Sequence, residues 1–408
     1  MITFIKIAWR NIARNKFRSL ITITAVSAGL GALIFLRAFV QGGDYQMIEN
    51  YTDLVSGHLQ VHMQGFQKKM GLERSISNPA DIEKIISSDP GVSSCAKRIK
   101  EYVLISSAEH SSGTLLEGIE PSREKTITSL HKHIRRGEFL SDGKNDQVVL
   151  GKELFEILQV ELGEKVVIMA QAADGSLAAA AFRVCGVLDT GTEDIDKGLA
   201  LITLKGAQDL FVLGDKISEV GIRLNDVYMV DKIAARLKKK IDTKTYEVLT
   251  WKEIAPMMMQ WVEFDKAFID IILLVVLFIA GAGILNTILM GVLERVREFG
   301  IMLALGTKRR QIVLMVSLES LFLGIIGVLV GVVLGVGISI YFGKQGVNLK
   351  GFATAFESYY IGSTIYPRLF IREVVSSAAV VLMTSVIVSV YPAWRAASLE
   401  PVDAIHHF

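Results

Sequence analysis

The stretch that decides the fold of this chain is residues 294–310, ERVREFGIMLALGTKRR, a short charged segment between two long apolar runs. Residues 271–293 before it contain no charged side chain, and residues 311–343 after it contain only Glu319. At about 1.5 Å per residue, roughly 20 apolar residues in a helix cross a hydrocarbon layer of about 30 Å. Both runs can therefore span a membrane, and the charged segment is a tight loop at one membrane face.

The loop has the residue spacing of an amphipathic helix. Glu294 and Glu298 lie four residues apart, while Val296 and Phe299 begin an apolar stripe on another side. Gly306 is expected to end the helix, because glycine readily adopts the left-handed backbone found at helix ends. The sequence therefore predicts a short helix at the membrane face.

Two further apolar runs complete the pattern. Residues 19–36 and 374–394 are also uncharged and long enough to span, and 51% of the 408 residues are hydrophobic. The first run is longer than the core of a typical secretory signal and has Arg37 near its far end, so it is expected to remain as an anchor. We therefore predict an α-helical membrane protein with four transmembrane helices and a large α+β domain between the first two.

Basic residues set the predicted orientation. Residues 1–18 contain five basic residues and no acidic one, and the loop contains five more. Short segments rich in lysine and arginine stay in the cytoplasm, so both are predicted to be cytoplasmic. The resulting plan has a cytoplasmic amphipathic helix (1–18), transmembrane helices 1 to 4 (19–42, 267–293, 311–343 and 373–394), an outer α+β domain with its stalk (43–266), a cytoplasmic helix (294–310), an outer loop (344–372) and a cytoplasmic tail (395–408).

The N-terminal segment has two interpretations. Lys6, Arg10 and Arg14 recur every four residues on one side, whereas Ile5 and Trp9 lie on another. This pattern is typical of an amphipathic helix on the inner leaflet. A cytoplasmic extension of the first span would show the same residues, and the sequence leaves both interpretations open.

Residues 43–266 have the composition of a soluble domain. In residues 55–64 apolar positions alternate with polar ones such as His58 and His62, which predicts a half-buried strand. Helices are predicted at residues 78–87 and 226–241. Two strand-helix units that flank a strand-rich insert predict an α+β domain in two lobes. Further strands are predicted at residues 102–106, 114–118, 147–150, 165–170, 181–188, 219–224 and 246–250.

The third span carries a packing signal and one buried charge. Gly327, Gly331 and Gly335 recur every four residues, which permits close approach of another helix from the same chain or from a second copy. Glu319 lies about two turns inside the span, where a carboxylate is costly and normally faces a partner. A structural hydrogen bond or a contact between subunits is favoured there over proton transport.

No constellation of a known enzyme occurs in the sequence. The nucleotide-binding motif G-x-x-x-x-G-K-[ST] and the hydrolase motifs H-E-x-x-H and G-x-S-x-G are absent. His58 and His62 would lie about 13 Å apart on a strand, too far to share a metal ion. We therefore predict no catalytic residue, no metal site and no cofactor bound by this chain. A net charge of +2 without a basic face rich in aromatic residues argues against nucleic acid as a partner.

The two cysteines, Cys95 and Cys185, both lie in the outer segment. In an oxidising compartment they could form a disulfide, and otherwise they are two separate buried thiols. The sequence leaves both possibilities open.

Three motifs give the chain a family resemblance. They are residues 8–20, AWRNIARNKFRSL, at the entry to the first span, residues 294–310, and residues 391–405, YPAWRAASLEPVDAI. In this order, and together with four spans, they resemble the FtsX-like permease family of ABC transporters over nearly the whole chain. Within that family the chain is most similar to the lipoprotein-releasing permeases of the Lol type.

The resemblance implies a complex in which the permease and ATPase subunits have separate roles. Two permease protomers, identical or paralogous, would work with a cytoplasmic ABC ATPase dimer that binds the ATP and Mg. This chain would be the non-catalytic, multi-pass subunit in the cell inner membrane, with both termini cytoplasmic, and closure of the ATPase would move its spans and periplasmic domain. The loop would be the coupling helix docked in the ATPase, with Glu294, Arg295, Arg297, Glu298, Gly300 and Gly306 as the expected coupling residues.

The expected cargo is a lipoprotein of the outer leaflet, with membrane lipid and a periplasmic lipoprotein chaperone as further candidate partners. Residues 169–182 are a short alanine-rich hairpin where the chaperone-recruiting subunit of the Lol system has an extended hook. This difference favours the substrate-binding type of subunit, a homodimeric relative or another outer-leaflet cargo. The alternatives are an efflux permease of the macrolide-exporter type and an FtsX-like signalling subunit that controls a periplasmic enzyme.

Acyl chains of the cargo are expected to contact aromatic and methionine side chains near the first and second spans, since methionine packs adaptably against irregular apolar ligands. The plainer alternative is a stalk helix in which the methionines fill the junction between domain and membrane. The expected contact residues are Phe35, Phe39, Met258, Met259, Trp261 and Phe264.

Overall fold

The computed structural model describes residues 2–349, 351 and 360–398 and divides into two compact units. The membrane unit comprises Met1–Asp44, Val262–Asn348 and Thr364–Phe408, and the sheet domain comprises Tyr45–Trp261 and Leu349–Ser363. Residues 399–405 of the third motif lie outside the described residues, as do residues 350 and 352–359 of the predicted outer loop.

The helices are numbered along the chain. They are α1 (Ile2–Arg14), α2 (Lys16–Tyr51), α3 (Pro79–Ser87), α4 (Pro121–Ile127), α5 (Lys152–Leu158), α6 (Glu193–Gly198), α7 (Leu204–Leu210), α8 (Val230–Lys240), α9 (Trp251–Ile254), α10 (Pro256–Glu294), α11 (Val296–Ala304), α12 (Arg309–Gln345) and α13 (Ile371–Ala397), with short turns of other helix types at Thr52–Ser56, Leu130–His133 and Val227–Met229.

Among the described residues, four helices are long and apolar enough to cross a membrane, namely α2, α10, α12 and α13. This confirms the four-span fold expected from the sequence. The helices themselves extend beyond the predicted spans, because α2 continues to Tyr51 and α10 already begins at Pro256. Proline suits the first position of a helix, where its missing N–H has no intrahelical partner to lose.

The strands are numbered in the same way. They are β1 (Leu59–Met63), β2 (Val92–Ser106), β3 (Ser111–Ile119), β4 (Ile134–Gly137), β5 (Gln147–Gly151), β6 (Lys165–Gln171), β7 (Leu177–Leu188), β8 (Leu199–Thr203), β9 (Glu219–Leu224), β10 (Tyr246–Thr250), β11 (Val347–Asn348) and β12 (Thr364–Ile365).

The first ten strands form one sheet in the order β10-β1-β9-β2-β3-β8-β5-β7-β4. Strand β6 pairs with both β2 and β7, so the strands β2, β3, β8, β5, β7 and β6 close into a ring. The early and late strand-helix units lie together beside this ring, while the insert builds most of the ring itself. Because β2 belongs to both parts, the two predicted lobes share one continuous sheet.

The apolar core of the sheet domain runs through the ring and under the flanking helices. Ile99 and Ile105 of β2, Val166 of β6 and Ile202 of β8 are fully buried there, and Leu237 brings α8 onto the same core. Alternate strand residues point to the same face, so each strand contributes every second side chain to this interior. The α+β domain expected between the first two spans is thus present.

Strand β1 differs from its prediction. The alternation of residues 55–64 predicted a half-buried strand, but β1 is shorter and is buried on both faces, including Gln60 and His62. The prediction of a half-buried strand was wrong because the polar face of β1 is covered as well. Here His62 meets Glu219 of β9 at 3.4 Å and Glu247 of β10 at 3.8 Å.

This polar face is part of a buried charge network across four neighbouring strands. Arg98 of β2 contacts Glu219 at 3.1 Å and Glu124 of α4 at 2.6 Å, and Lys100 lies 3.1 Å from Glu117 of β3. Burial alone would raise the pKa of Glu219, but the positive charges around it hold that pKa well below its ordinary value. The network therefore stays ionised inside the sheet domain.

The cysteines are not joined by a disulfide. Cys95 lies on β2 and Cys185 on β7, and both are partly buried. Burial raises the pKa of the Cys185 thiol to about 11, so this thiol is protonated at neutral pH.

Candidate functional site

The loop between the second and third spans contains a single short helix. Helix α10 ends at Glu294, Arg295 leaves the helical conformation, and α11 runs over Val296–Ala304. Gly306 then adopts a φ of 90°, which only glycine reaches without strain, and the N–H of Thr307 closes the turn on the Met302 carbonyl at 3.0 Å. The helix therefore ends before Gly306, as expected, but it begins after Arg295 and is shorter than the predicted segment of residues 294–310.

Arg295 and Glu319 form a buried ion pair inside the membrane unit. The guanidinium of Arg295 donates to both carboxylate oxygens of Glu319 at 3.0 Å, and its Nε donates to the Gly291 carbonyl at 3.1 Å. The amide of Asn11 in α1 donates to the same carboxylate. We call Asn11, Arg295 and Glu319 the buried cluster. It neutralises the charge in the third span and joins α1, α12 and the residue before α11.

Exposed charge pairs surround the buried cluster. Arg18 at the start of α2 binds Glu294 at 2.5 Å, and Arg14 of α1 lies 3.4 Å from Glu298 of α11. Pairs of this kind contribute at most about 1 kcal/mol each, because water screens them. The Arg14–Glu298 pair places α1 beside α11, and the Arg18–Glu294 pair joins the start of α2 to the end of α10.

Helix α1 is a separate helix that packs on α12. The helical conformation is interrupted at Asn15, between α1 and α2. Ala8 is fully buried, and the Trp9 ring lies edge-on to Phe322 of α12 with 6.2 Å between the ring centres. The structure therefore separates α1 from the first span, as the amphipathic-helix interpretation requires.

The expected coupling residues differ in their exposure around α11. Val296 and Phe299 are buried, while Arg297 and Glu298 are exposed. Beyond them Leu305 is 81% exposed. Of the six expected coupling residues, Glu294, Arg297, Glu298 and Gly306 are exposed, whereas Arg295 and Gly300 are buried. Arg295 thus faces Glu319 within the chain and not the surface.

The glycine stripe of the third span lies against α2 of the same chain. A Cβ added at Gly327 would come within 2.8 Å of Val26, and one added at Gly335 would come within 2.8 Å of Ile34. At Gly331 it would lie 2.9 Å from the Ser27 carbonyl oxygen. These distances leave no room for a side chain, so the glycines permit contact between the two helices.

The residues expected to contact acyl chains have different surroundings. In the membrane unit, Phe35 packs against Phe39 and Phe342, with 6.3 and 5.6 Å between ring centres, and Phe264 is 59% exposed. In the sheet domain, Met258 is buried, Met259 packs on the apolar core and Trp261 is 37% exposed. Met258 and Met259 thus pack within the sheet domain itself.

A polar cavity of about 250 Å³ lies at the other end of the membrane unit from α11. Arg37 of α2 enters it and binds Glu373 of α13 at 2.7 Å and Asp270 of α10 at 3.4 Å. From the sequence, Arg37 was expected only to argue against a secretory signal, and its role in this cavity was not predicted. The cavity is lined by Arg37, Val40, Gln41, Asp44, Asp265, Lys266, Ile269, Asp270 and Glu373.

Asn11 is the member of the buried cluster that the sequence analysis missed. A signal was available, because an intramembrane carboxylate requires hydrogen-bond donors and Asn11 is a polar residue in the segment just before the first span. Among the described residues, no group of three or more His, Cys, Asp or Glu side chains could hold a metal ion.

Comparisons with known proteins match the two parts of the chain separately. The model of the MacB-like periplasmic core domain matches residues 19–240, more than half of the chain, and the model of the FtsX-like permease C-terminal region matches residues 271–401. Among solved structures, the periplasmic region of MacB from Actinobacillus actinomycetemcomitans is similar, with a TM-score of 0.37, 16% identity and coverage of 53% of this chain and 97% of that one.

Curated relatives are similar over the whole length. The lipoprotein-releasing system transmembrane protein LolC of Neisseria meningitidis is 24% identical over 97% of this chain and 96% of its own length. The ABC transporter permease YknZ of Bacillus subtilis is 25% identical over 99% and 98%. The macrolide export ATP-binding/permease protein MacB of Bdellovibrio bacteriovorus is 23% identical over all of this chain and 62% of its own length.

Proposed function

This chain belongs to the FtsX-like ABC transporter permeases that carry a MacB-like periplasmic core domain, and we propose that it releases lipoproteins from the outer leaflet of the inner membrane. A separate cytoplasmic ATPase dimer supplies the energy and binds the ATP and Mg. A second permease protomer, identical or paralogous, completes the complex. Residues 1–18 and α11 lie in the cytoplasm in this proposal because these segments are basic, and the even number of spans returns the C-terminus to the same side.

The observation that carries the proposal is the two-sided construction of α11. Its outward side presents Arg297, Glu298 and the exposed Leu305, an amphipathic surface suited to a protein groove. At its inward side, Arg295 connects the start of the helix to the third span through Glu319. A push on α11 would therefore reach α12 through a buried ion pair instead of a flexible loop.

The choice of lipoprotein as cargo rests on two supports. LolC proteins are similar over nearly the full length of the chain, at 24% identity for the Neisseria relative. The cavity around Arg37 also offers charged side chains to the polar backbone of an acylated cargo, and on another side of α2 the apolar rings of Phe35 and Phe39 pack beside Phe342. Acyl chains would enter the membrane unit beside these rings.

Coupling is tested by changing the outward side of α11. We expect Arg297→Glu and Leu305→Glu to reduce ATPase binding and lipoprotein release, since both side chains would meet the ATPase surface. Lys6→Glu, an equally exposed charge reversal on α1, serves as the control and should leave both activities within about twofold, because surface charges contribute little. Normal ATPase binding together with normal release in both α11 variants would refute the docking role.

Cargo is tested by measuring ATP hydrolysis of the reconstituted complex. Stimulation by a triacylated lipopeptide, but not by the same peptide without acyl chains, is the expected result. Stimulation by small hydrophobic drugs would replace the proposal with an efflux function of the macrolide-exporter type. A response to neither ligand would favour a signalling subunit that controls a periplasmic enzyme.

A further inference from the structure

A separate cavity of about 300 Å³ lies where α12 begins and α13 ends, within the membrane unit. Arg309 and Arg310 occupy the first turn of α12, and Trp394 stands on the last turns of α13. None of these residues belongs to the buried cluster or to the outward side of α11. The cavity is lined by Arg309, Arg310, Val313, Trp394, Ala397 and Ser398, and we call it the Arg309–Trp394 pocket.

The described residues that line the pocket include two arginines and no acidic side chain, so this lining is positively charged. In the described part of the chain, Arg14, Arg18 and Arg295 each have a carboxylate within 4.0 Å, whereas Arg309 and Arg310 have none. The first N–H groups of a helix also lack intrahelical acceptors and add a partial positive charge. These features together favour an anionic group between the two arginines.

The other wall of the pocket is apolar and continues into the exposed apolar face of α13. Trp394 is 66% exposed, and on the same helix Ile387 and Val390 are 67% and 51% exposed, as expected for side chains in contact with lipid. Tryptophan is enriched where hydrocarbon meets the headgroups, because its ring is apolar and its N–H can donate a hydrogen bond. An occupant of this pocket would thus have one charged end and one end beside the acyl chains.

We propose that the Arg309–Trp394 pocket binds the phosphate of an anionic phospholipid from the leaflet next to α11. The arginines contact the phosphate oxygens, the Trp394 ring packs on the glycerol and upper acyl carbons, and Val313 closes the apolar side. Basic pockets between transmembrane helices on the cytoplasmic side are suited to such headgroups. This bound lipid is distinct from the cargo. The test of the pocket is therefore independent of whether the complex releases lipoproteins.

The test measures lipid retention by the full chain purified in detergent. The probe is phosphatidylglycerol, with phosphatidylcholine as the zwitterionic comparison, and bound lipid is counted by native mass spectrometry and by thermal stabilisation. The double variant Arg309→Gln/Arg310→Gln should weaken phosphatidylglycerol binding by about tenfold or more, since each basic residue near a lipid surface contributes severalfold in affinity. Phosphatidylcholine should bind weakly to both proteins.

Two matched variants distinguish a specific lipid-binding site from nonspecific electrostatic attraction of the anionic lipid. Lys6→Gln/Lys16→Gln removes two exposed charges from the same end of the membrane unit and should leave binding within about twofold. Trp394→Leu keeps an apolar side chain and the charges, and should weaken binding without changing the preference for phosphatidylglycerol. The lysine pair serves as the charge control, and the tryptophan variant tests the apolar wall on its own.

Three results would overturn the proposal. They are unchanged lipid retention in the arginine variant, an equal loss in the lysine control, and equal stabilisation by inorganic phosphate or glycerol phosphate, which would indicate a site for a free anion. If lipid retention is unchanged in the arginine variant while its ATPase binding is lost, the pocket is a protein contact. Gel filtration of every variant checks that the chain remains folded.

Discussion

At the scale of single residues, Arg295 connects the loop to the membrane span. Its side chain is buried, it holds Glu319 by two nitrogens, and its guanidinium also lies 5.3 Å from the centre of the Phe299 ring. A buried pair of this kind gains little over apolar residues of the same size, but removing one partner leaves an unpaired charge inside the protein. The pair should therefore be sensitive to single substitutions and tolerant of a double one.

We expect Glu319→Gln to destabilise the membrane unit by about 3–5 kcal/mol, because Arg295 would remain buried and charged. In a thermal unfolding measurement on the detergent-solubilised chain, this corresponds to a midpoint about 5–10 °C lower. The double variant Arg295→Met/Glu319→Leu should recover most of the loss. Glu298→Gln is the control, because it removes a carboxylate from a pair that is more than half exposed. Equal midpoints for Glu319→Gln and Glu298→Gln would contradict the role of the buried pair.

Sequence reasoning identified the partners of this cluster only in part. An intramembrane carboxylate such as Glu319 must have a donor, so a structural contact was predictable. Arg295 was expected on the docking surface because the family resemblance places it on a coupling helix together with Glu294, Arg297 and Glu298. The backbone breaks at Arg295, which turns its side chain inward. Side-chain periodicity assigns faces only while the helix is unbroken.

At the scale of elements, the contact between α2 and α12 depends on small residues. Gly335→Ala would place a methyl group 2.8 Å from the Ile34 Cβ and 2.9 Å from the Gly31 carbonyl oxygen. Overpacking of this kind typically costs about 1–3 kcal/mol. We expect a lower thermal midpoint in detergent for this variant.

Gly337→Ala is the matched control on the same helix. A Cβ at Gly337 meets no described atom within 4 Å, and alanine is the better helix former by up to about 1 kcal/mol. This variant should unfold at the same temperature as the parent or slightly higher. If both alanine variants lowered the midpoint equally, close packing at Gly335 would not be the cause.

Strand β1 shows that the burial of a strand cannot be predicted from its own sequence pattern. Alternation correctly indicated which residues share a face, but it cannot tell whether that face is covered by another layer. The buried charge network covers the polar face of β1, and its members lie on distant segments such as Arg98 and Glu219. Only their sheet register brings them together, so neither the burial of His62 nor the network was predictable from local pattern.

At the scale of the whole molecule, hydrophobic patterning was sufficient for the number of spans and for the position of the α+β domain, because each feature depends on long stretches. The ring of six strands depends on the pairing of β6 with two partners, which composition does not encode. The sidedness of the membrane remains a prediction from charge. It follows from the basic residues in residues 1–18 and in the loop of residues 294–310.

Sidedness can be measured with two leucines of matched exposure. Leu177 in the hairpin of the sheet domain is 80% exposed, and Leu305 after α11 is 81% exposed. Each is replaced by cysteine in a chain in which Cys95 and Cys185 are alanine, expressed without a partner ATPase so that α11 stays uncovered. A maleimide that cannot cross membranes is then added to intact spheroplasts.

We expect Leu177→Cys to react in intact spheroplasts and Leu305→Cys to react only after the membrane is permeabilised. Since the two side chains are equally exposed in the protein, a difference in labelling reports the side of the membrane and not burial. Reaction of Leu305→Cys before permeabilisation would place α11 outside the cell. A cytoplasmic ATPase could not reach it there, so the proposed mechanism requires the protected result.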